Sequence, residues 1–239
     1  MNIIVIGQQR TGSNLLCYAL SFFKEFRNIN EFYSVDRNNF IYNLFFSQEE
    51  RELFFKNYKT KNWRELLDKI HADPRSSYDY LNTILGDKNK IIKLLEHQFE
   101  INSKLYTLLE EDCKFIILDR TNDLEQYVSL KIAEDNDVWW KENTDNFQIT
   151  LELNDYNNFK KQKKEFYNKL ECKLDNKTFI KLNYENDLQN GITDNLLDKL
   201  SNFLGTQVSQ DKDRNIIEKQ NTIECYKKIK NYQEIKDLI

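Results

Sequence analysis

Residues 5–16 read "VIGQQRTGSNLL", and the interpretation of this stretch decides the fold. The apolar run Ile3–Ile6 has the composition of a short buried strand. Gly7 and Gly12 bracket a loop, and a helical pattern begins near Asn14. The formula is G-x-x-x-x-G-Ser-Asn, whereas a nucleoside-triphosphate loop carries Gly-Lys-Ser/Thr at that place. The lysine is absent. Only five glycines occur in 239 residues, and two of them fall in this loop. Glycine permits positive φ and close approach of a ligand, and the helix that follows offers free N–H groups and a positive dipole end, so the pattern favours a local anion site. A tight strand-to-helix turn capped by Ser13 is the alternative without a ligand. The fixed positive charge sits upstream at Arg10, whose planar fork suits an oxyanion with several acceptors.

Further apolar runs occur at "KIIKLL" (Lys90–Leu95), "KFIIL" (Lys114–Leu118) and "TFIKL" (Thr178–Leu182). They predict buried strands. Helical periodicity covers Asn14–Phe26, Gln48–Asn57, Trp63–His71, Gln98–Glu111, Leu124–Asp135, Phe147–Cys172 and Asn195–Leu204. The alternation predicts an α/β fold: a P-loop-like, mainly parallel β-sheet flanked by helices, with additional helical segments, in a single domain spanning 1–239. In such sheets ligands gather beyond the carboxyl ends of the strands, here after Ile6, Leu95, Leu118 and Leu182. The charge run "KKQKKE" (Lys160–Glu165) reads as the solvated face of a long helix.

Composition narrows the function classes. Hydrophobic content of 40% and aromatic content of 13% predict a folded chain with a substantial core. Lys and Arg number 35 against 39 Asp and Glu, a net charge of −4, which argues against nucleic acid as a partner and confines any anion site to one locality. Cys17, Cys113, Cys172 and Cys225 form no metal-ligand spacing, and a reducing compartment is the simpler expectation; the lysine-free loop fits an anion handled without a bridging metal, so no metal is expected. The opening "NIIVIG" has neither a basic leader nor a long apolar run, which predicts a cytoplasmic protein without a membrane anchor. No coiled-coil heptad suggests an oligomeric state.

Two spaced motifs resemble those of the sulfotransferases that use 3′-phosphoadenosine 5′-phosphosulfate (PAPS). "QQRTGSNLL" is similar to their 5′-phosphosulfate loop, in which Lys or Arg precedes Ser/Thr-Gly-Ser/Thr-Thr/Asn and a helix; the resemblance implies that Arg10, Thr11, Gly12, Ser13 and Asn14 bind the donor. "FIILDRTNDLEQYVSL" is similar to their 3′-phosphate motif, with Arg120 at a strand end and Ser129 nine residues on in a helix. Such groups can converge on one phosphate. "NINEFYS" places Glu31 21 residues after Arg10, as in the bacterial carbohydrate (trehalose-type) branch, where the glutamate is the general base. "IKLNYENDL" and "EKQNTIECYKKIKNYQEIKDLI" resemble the family's later strand and closing segment, which implies Lys219 and Gln220 as nucleotide-binding candidates, a helix-surface role being the equal alternative; Tyr184 and Glu185 read as structural. The Lys-Thr-His and Arg-Lys-Gly-x-x-Gly segments of the animal cytosolic enzymes are absent, and Lys93 and His97 are secondary site candidates.

The resemblance implies sulfuryl transfer from PAPS to a hydroxyl acceptor, a carbohydrate or glycolipid, with Glu31 and Arg10 catalytic. Two alternatives stand beside it. Asp119 after a hydrophobic strand suits a metal-holding acid in a nucleotide kinase or hydrolase, and a non-catalytic nucleotide-binding protein would keep the same pocket. The acceptor would be shaped by residues from Phe32 to Leu85 and by the segment around Trp139 and Trp140, a pair read here as core more readily than as a sugar platform.

Overall fold

A computed structural model describes residues 1–34, 46–86, 88–139, 143–209 and 224–239. Five parallel strands form one sheet in the order β2-β3-β1-β4-β5. They are β1 (Asn2–Gly7), β2 (Phe26–Asn30), β3 (Asn89–Leu95), β4 (Cys113–Asp119) and β5 (Phe179–Asn183). The helices are α1 (Ser13–Leu20), α2 (Gln48–Asn57), α3 (Trp63–Ala72), α4 (Pro74–Leu85), α5 (Glu96–Ile101), α6 (Asp123–Asn136), α7 (Leu153–Leu174), α8 (Asp194–Leu204) and the short α9 (Tyr232–Ile235). The α/β class and the mainly parallel sheet expected from the sequence are both found.

The central strand β1 is buried along its whole length, which explains why it reads as an unbroken apolar run rather than an alternating one. Ile4 and Ile6 point into a core shared with Ile92, Leu94, Phe115 and Ile117 and covered by α2, α3, α4 and α7. Ile3 and Val5 point to the opposite face, where Leu16, Cys17 and Leu20 of α1 and Leu196, Leu197 and Leu200 of α8 close the second core. A third cluster joins Tyr127 and Ile132 of α6 to Tyr156 and Phe159 of α7 and to Ile229 and Ile235 near the carboxyl end. All four cysteines are free.

Several boundaries differ from the sequence expectation. Strand β2, "FRNIN", starts at the last residue of the helix expected over Asn14–Phe26, which ends at Leu20, and the sequence reading assigns it no strand. As an edge strand paired only with β3, it needs no long apolar run. Helix α4 was not anticipated, although Asp73 caps it and Pro74 opens it. The predicted helix 98–111 is split by Asn102 into α5 and a 3₁₀ segment, Ser103–Glu110. The charge run 160–165 is only partly solvated: Lys163 falls in the stripe Tyr156, Phe159, Lys163, Phe166, Tyr167 and Leu170, and it is buried.

Phe54 of α2 sits among Phe32, Phe46 and Tyr80 at ring separations of 5.7, 5.3 and 5.7 Å, fully buried. Phe54→Ala is expected to lower the unfolding free energy by about 3–5 kcal/mol in urea titration, the range for a large aromatic lost from a packed core.

Candidate functional site

The order of strands brings the ends of β1 and β4 side by side. Gly7 is in register with Leu118, and a Cβ on Gly7 would stand 2.7 Å from the Leu118 carbonyl oxygen. Only glycine lets the two strands stay this close where the loop departs. The loop then turns through two left-handed residues, Arg10 at φ +63° and Gly12 at φ +84°. A Cβ on Gly12 would lie 2.7 Å from the Tyr184 ring. Thr11 is buried and donates to the Gln8 carbonyl at 2.8 Å, fixing the bend from inside. Gly12 stands at the N-cap of α1 and supplies no side-chain acceptor to its first turn. Ser13 is buried beside it, and the side-chain oxygen of Asn14 accepts a hydrogen bond from Lys93.

From the neighbouring strand end, Arg120 is only 6% exposed. Its Nη1 donates to the Arg10 carbonyl at 3.2 Å and its Nη2 to Glu125 at 2.5 Å. Its guanidinium stacks 4.5 Å over Tyr184, and its buried Nε has no hydrogen-bond partner among the described residues, with Glu185 Oε1 3.7 Å away as an ion-pair partner. Ser129 of α6 is buried and accepts from Arg10 Nε at 2.9 Å. Burial, helped by the charge of Arg120, lowers the Arg10 pKa to about 10. Two guanidinium groups are thus held near one another, Arg120 buried and Arg10 half-buried, with Glu125 and Glu185 as the carboxylates paired with Arg120. Arg10 and Ser129 would hold opposite phosphates on the sequence reading, yet here the Arg10 guanidinium is bonded to the Ser129 hydroxyl. Glu185 accepts from the Thr121 N–H at 2.9 Å, the Thr121 hydroxyl at 2.9 Å and the Asn122 N–H at 3.0 Å, so it caps the entry to α6, the structural role expected of it.

Glu31 lies just past β2. Its carboxylate pairs with Lys93 Nζ at 2.6 Å and accepts from Gln98 Nε2 at 3.3 Å. Lys93, 2% exposed, connects Glu31 to Asn14 and so to α1. His97 is near the same carboxylate; burial lowers its pKa, and its buried Nδ1 has no hydrogen-bond partner among the described residues. Trp139 is 39% exposed rather than core, and its carbonyl accepts from Arg10 Nη1 at 3.2 Å. Trp140, Lys219 and Gln220 lie outside the described residues.

No family model and no curated protein sequence matches the chain. Among solved structures, it is similar to the sulfotransferase domain from the curacin biosynthetic pathway, with a TM-score of 0.51 and 15% identity over 93% of this chain and 80% of that one. The chain has a sulfotransferase fold. The sulfotransferase domain from the Synechococcus PCC 7002 olefin synthase aligns over 98% of this chain and 82% of that one, with 13% identity and a TM-score of 0.48.

Within this sulfotransferase fold lies a set of polar residues that motif reading passed over. Glu96, the first residue after β3, accepts a hydrogen bond from Gln8 of the loop. Burial raises its pKa to about 7. Gln8 in turn accepts from Gln126 of α6 at 3.1 Å, and Gln126 accepts from Lys163 of α7 at 3.0 Å. The position of Glu96 past a strand end was a usable signal, and so was the helical spacing of Lys163 with Phe159 and Phe166. Because folding raises the pKa of Glu96, the folded chain holds a proton that the unfolded chain has lost between pH 4.5 and about 7. Its contribution therefore favours folding less as pH rises through that window. Glu96→Gln should flatten the fall in melting temperature across this range, measured by calorimetry against the parent chain.

Proposed function

We propose that the chain is a PAPS-dependent sulfotransferase, acting in the cytoplasm as one domain on the hydroxyl group of a carbohydrate or glycolipid. The meeting of Arg10, Arg120 and Ser129 beyond the carboxyl ends of β1 and β4 carries this reading. The site fits such a donor on three counts. Arg120 has a buried N–H without a hydrogen-bond acceptor among the described residues, Glu185 Oε1 standing 3.7 Å from it, the turn at Gly12 leaves α1 without a side-chain cap, and Arg10 and Arg120 are near one another. A bound phosphosulfate would supply an already activated sulfuryl group on a phosphate leaving group.

The protein's work is then positioning and electrostatics. Glu31 accepts the proton of the attacking hydroxyl, while Lys93 holds its carboxylate and links it to α1. As the new sulfur–oxygen bond forms and the bond from sulfur to the leaving phosphate breaks, Arg10 and the loop N–H groups stabilise the charge that gathers on that phosphate. Arg120 and Ser129 bind the 3′-phosphate, in exchange for their present partners Glu125 and Arg10. Asp119, the acid a metal-dependent nucleotide enzyme would use, is instead bonded to the Arg120 N–H at 2.7 Å and paired with Lys163 at 3.0 Å. That engagement favours the sulfotransferase reading over the kinase or hydrolase reading.

Thermal-shift titration should show stabilisation by adenosine 3′,5′-bisphosphate with or without Mg²⁺; stabilisation only by ATP with Mg²⁺ overturns the proposal. Arg120→Ala is expected to weaken bisphosphate binding by about tenfold or more, the scale of one lost charge-assisted contact. Glu31→Gln should leave that binding intact and lower turnover on a panel of sugars and glycolipids by roughly 10²–10⁴-fold. Full turnover in Glu31→Gln removes it as the base.

A further inference from the structure

Lys163 belongs to neither anion-binding motif, yet its ammonium lies beneath both. It is 6% exposed, in the middle of α7. Four oxygens surround it: the Arg120 carbonyl, Asp123 Oδ1 at 2.7 Å, Asp119 Oδ1 at 3.0 Å and Gln126 Oε1 at 3.0 Å. Three of these acceptors lie within four residues of one another, in the segment that carries Arg120. The fourth leads elsewhere. Gln126, fully buried, donates from Nε2 to Gln8 Oε1 at 3.1 Å and to the Gln9 carbonyl at 2.9 Å, so the same ammonium reaches the β1–α1 loop through one side chain.

One helical turn further along α7, Tyr167 makes the same connection again. Its hydroxyl donates to the Leu118 carbonyl at 2.6 Å and accepts from the Gln8 N–H at 3.3 Å. Residues four apart on a helix share a face, so α7 presents two polar groups side by side, each bonded towards both strand ends. Burying an ammonium among carboxylates gains little stability over packing an apolar side chain there, because desolvation offsets most of the attraction. What the arrangement does fix is where the two loops stand relative to each other. Lys163 also neutralises Asp119 and Asp123, which would otherwise set two negative charges beside the Arg120 anion site.

We infer that Lys163 is a positioning residue that, with Tyr167, holds the Arg120 segment at a set distance from the Arg10 loop and so determines recognition of a nucleotide phosphorylated at both the 5′ and 3′ positions. The inference rests on the proposed donor site and specifies what measures its span.

Isothermal titration of the full chain with adenosine 3′,5′-bisphosphate and with adenosine 5′-phosphate gives the preference conferred by the 3′-phosphate. In Lys163→Met this preference should fall by about tenfold or more, comparable to losing one charge-assisted contact, while binding of adenosine 5′-phosphate changes several-fold less. Tyr167→Phe, a milder change, should lower the preference in the same direction and by a smaller factor; it serves as the decisive variant if Lys163→Met does not fold. A lowered melting temperature with the preference intact overturns the positioning role. A parent chain that binds neither nucleotide, or both equally, overturns the donor-site proposal instead.

Discussion

The structure depends on the close approach of β1 and β4 at their carboxyl ends. With β1 in the centre of the sheet and Gly7 against the Leu118 carbonyl, the chain must leave both strands through the same narrow opening. The arginine cluster follows from that crowding. The loop after β1 takes two left-handed residues to turn away, the segment after β4 is drawn beneath it, and Arg10 and Arg120 come to share a hydrogen bond although 110 residues separate them. Tyr184, from the end of β5, fills the remaining space by packing its ring on Gly12 and under the Arg120 guanidinium.

Charge is distributed accordingly. A chain of net charge −4 cannot attract anions generally, so it concentrates positive groups where water is sparse. Three buried cations near the site are paid for locally: Arg120 by Glu125, Lys93 by Glu31, Lys163 by Asp119 and Asp123. One pair bridges the ends of β2 and β3, and the other two cluster after β4, on the far side of the central strand.

Much of this was legible in the sequence. The three inner strands are unmistakable because burial on both faces demands continuous apolar residues, and the loop was legible because glycine is so scarce elsewhere. Arg120 and Ser129 could be matched to a motif only because strand end and following helix keep a fixed spacing. What stayed hidden had weaker local signals. Strand β2 pairs on one side and carries few apolar residues, so nothing in "FRNIN" announces it. Lys163 is chemically identical to its exposed neighbours in a lysine-rich run, and only its phase on the helix distinguishes it. Gln8 and Gln126 have no charge to draw notice, and their importance comes from contacts between segments 118 residues apart.

The pairing of Arg120 with Glu125 and of Arg10 with Ser129 has a consequence for how tightly a nucleotide can be held. A site whose cations are already partnered does not gain the full strength of each new contact, only the difference between incoming phosphate and outgoing side chain. On the proposed reading, the same carboxylate that yields to the donor stands ready to reclaim the arginine from the spent bisphosphate. Such a pocket is built for exchange rather than storage, and Glu125 acts as its returning tenant.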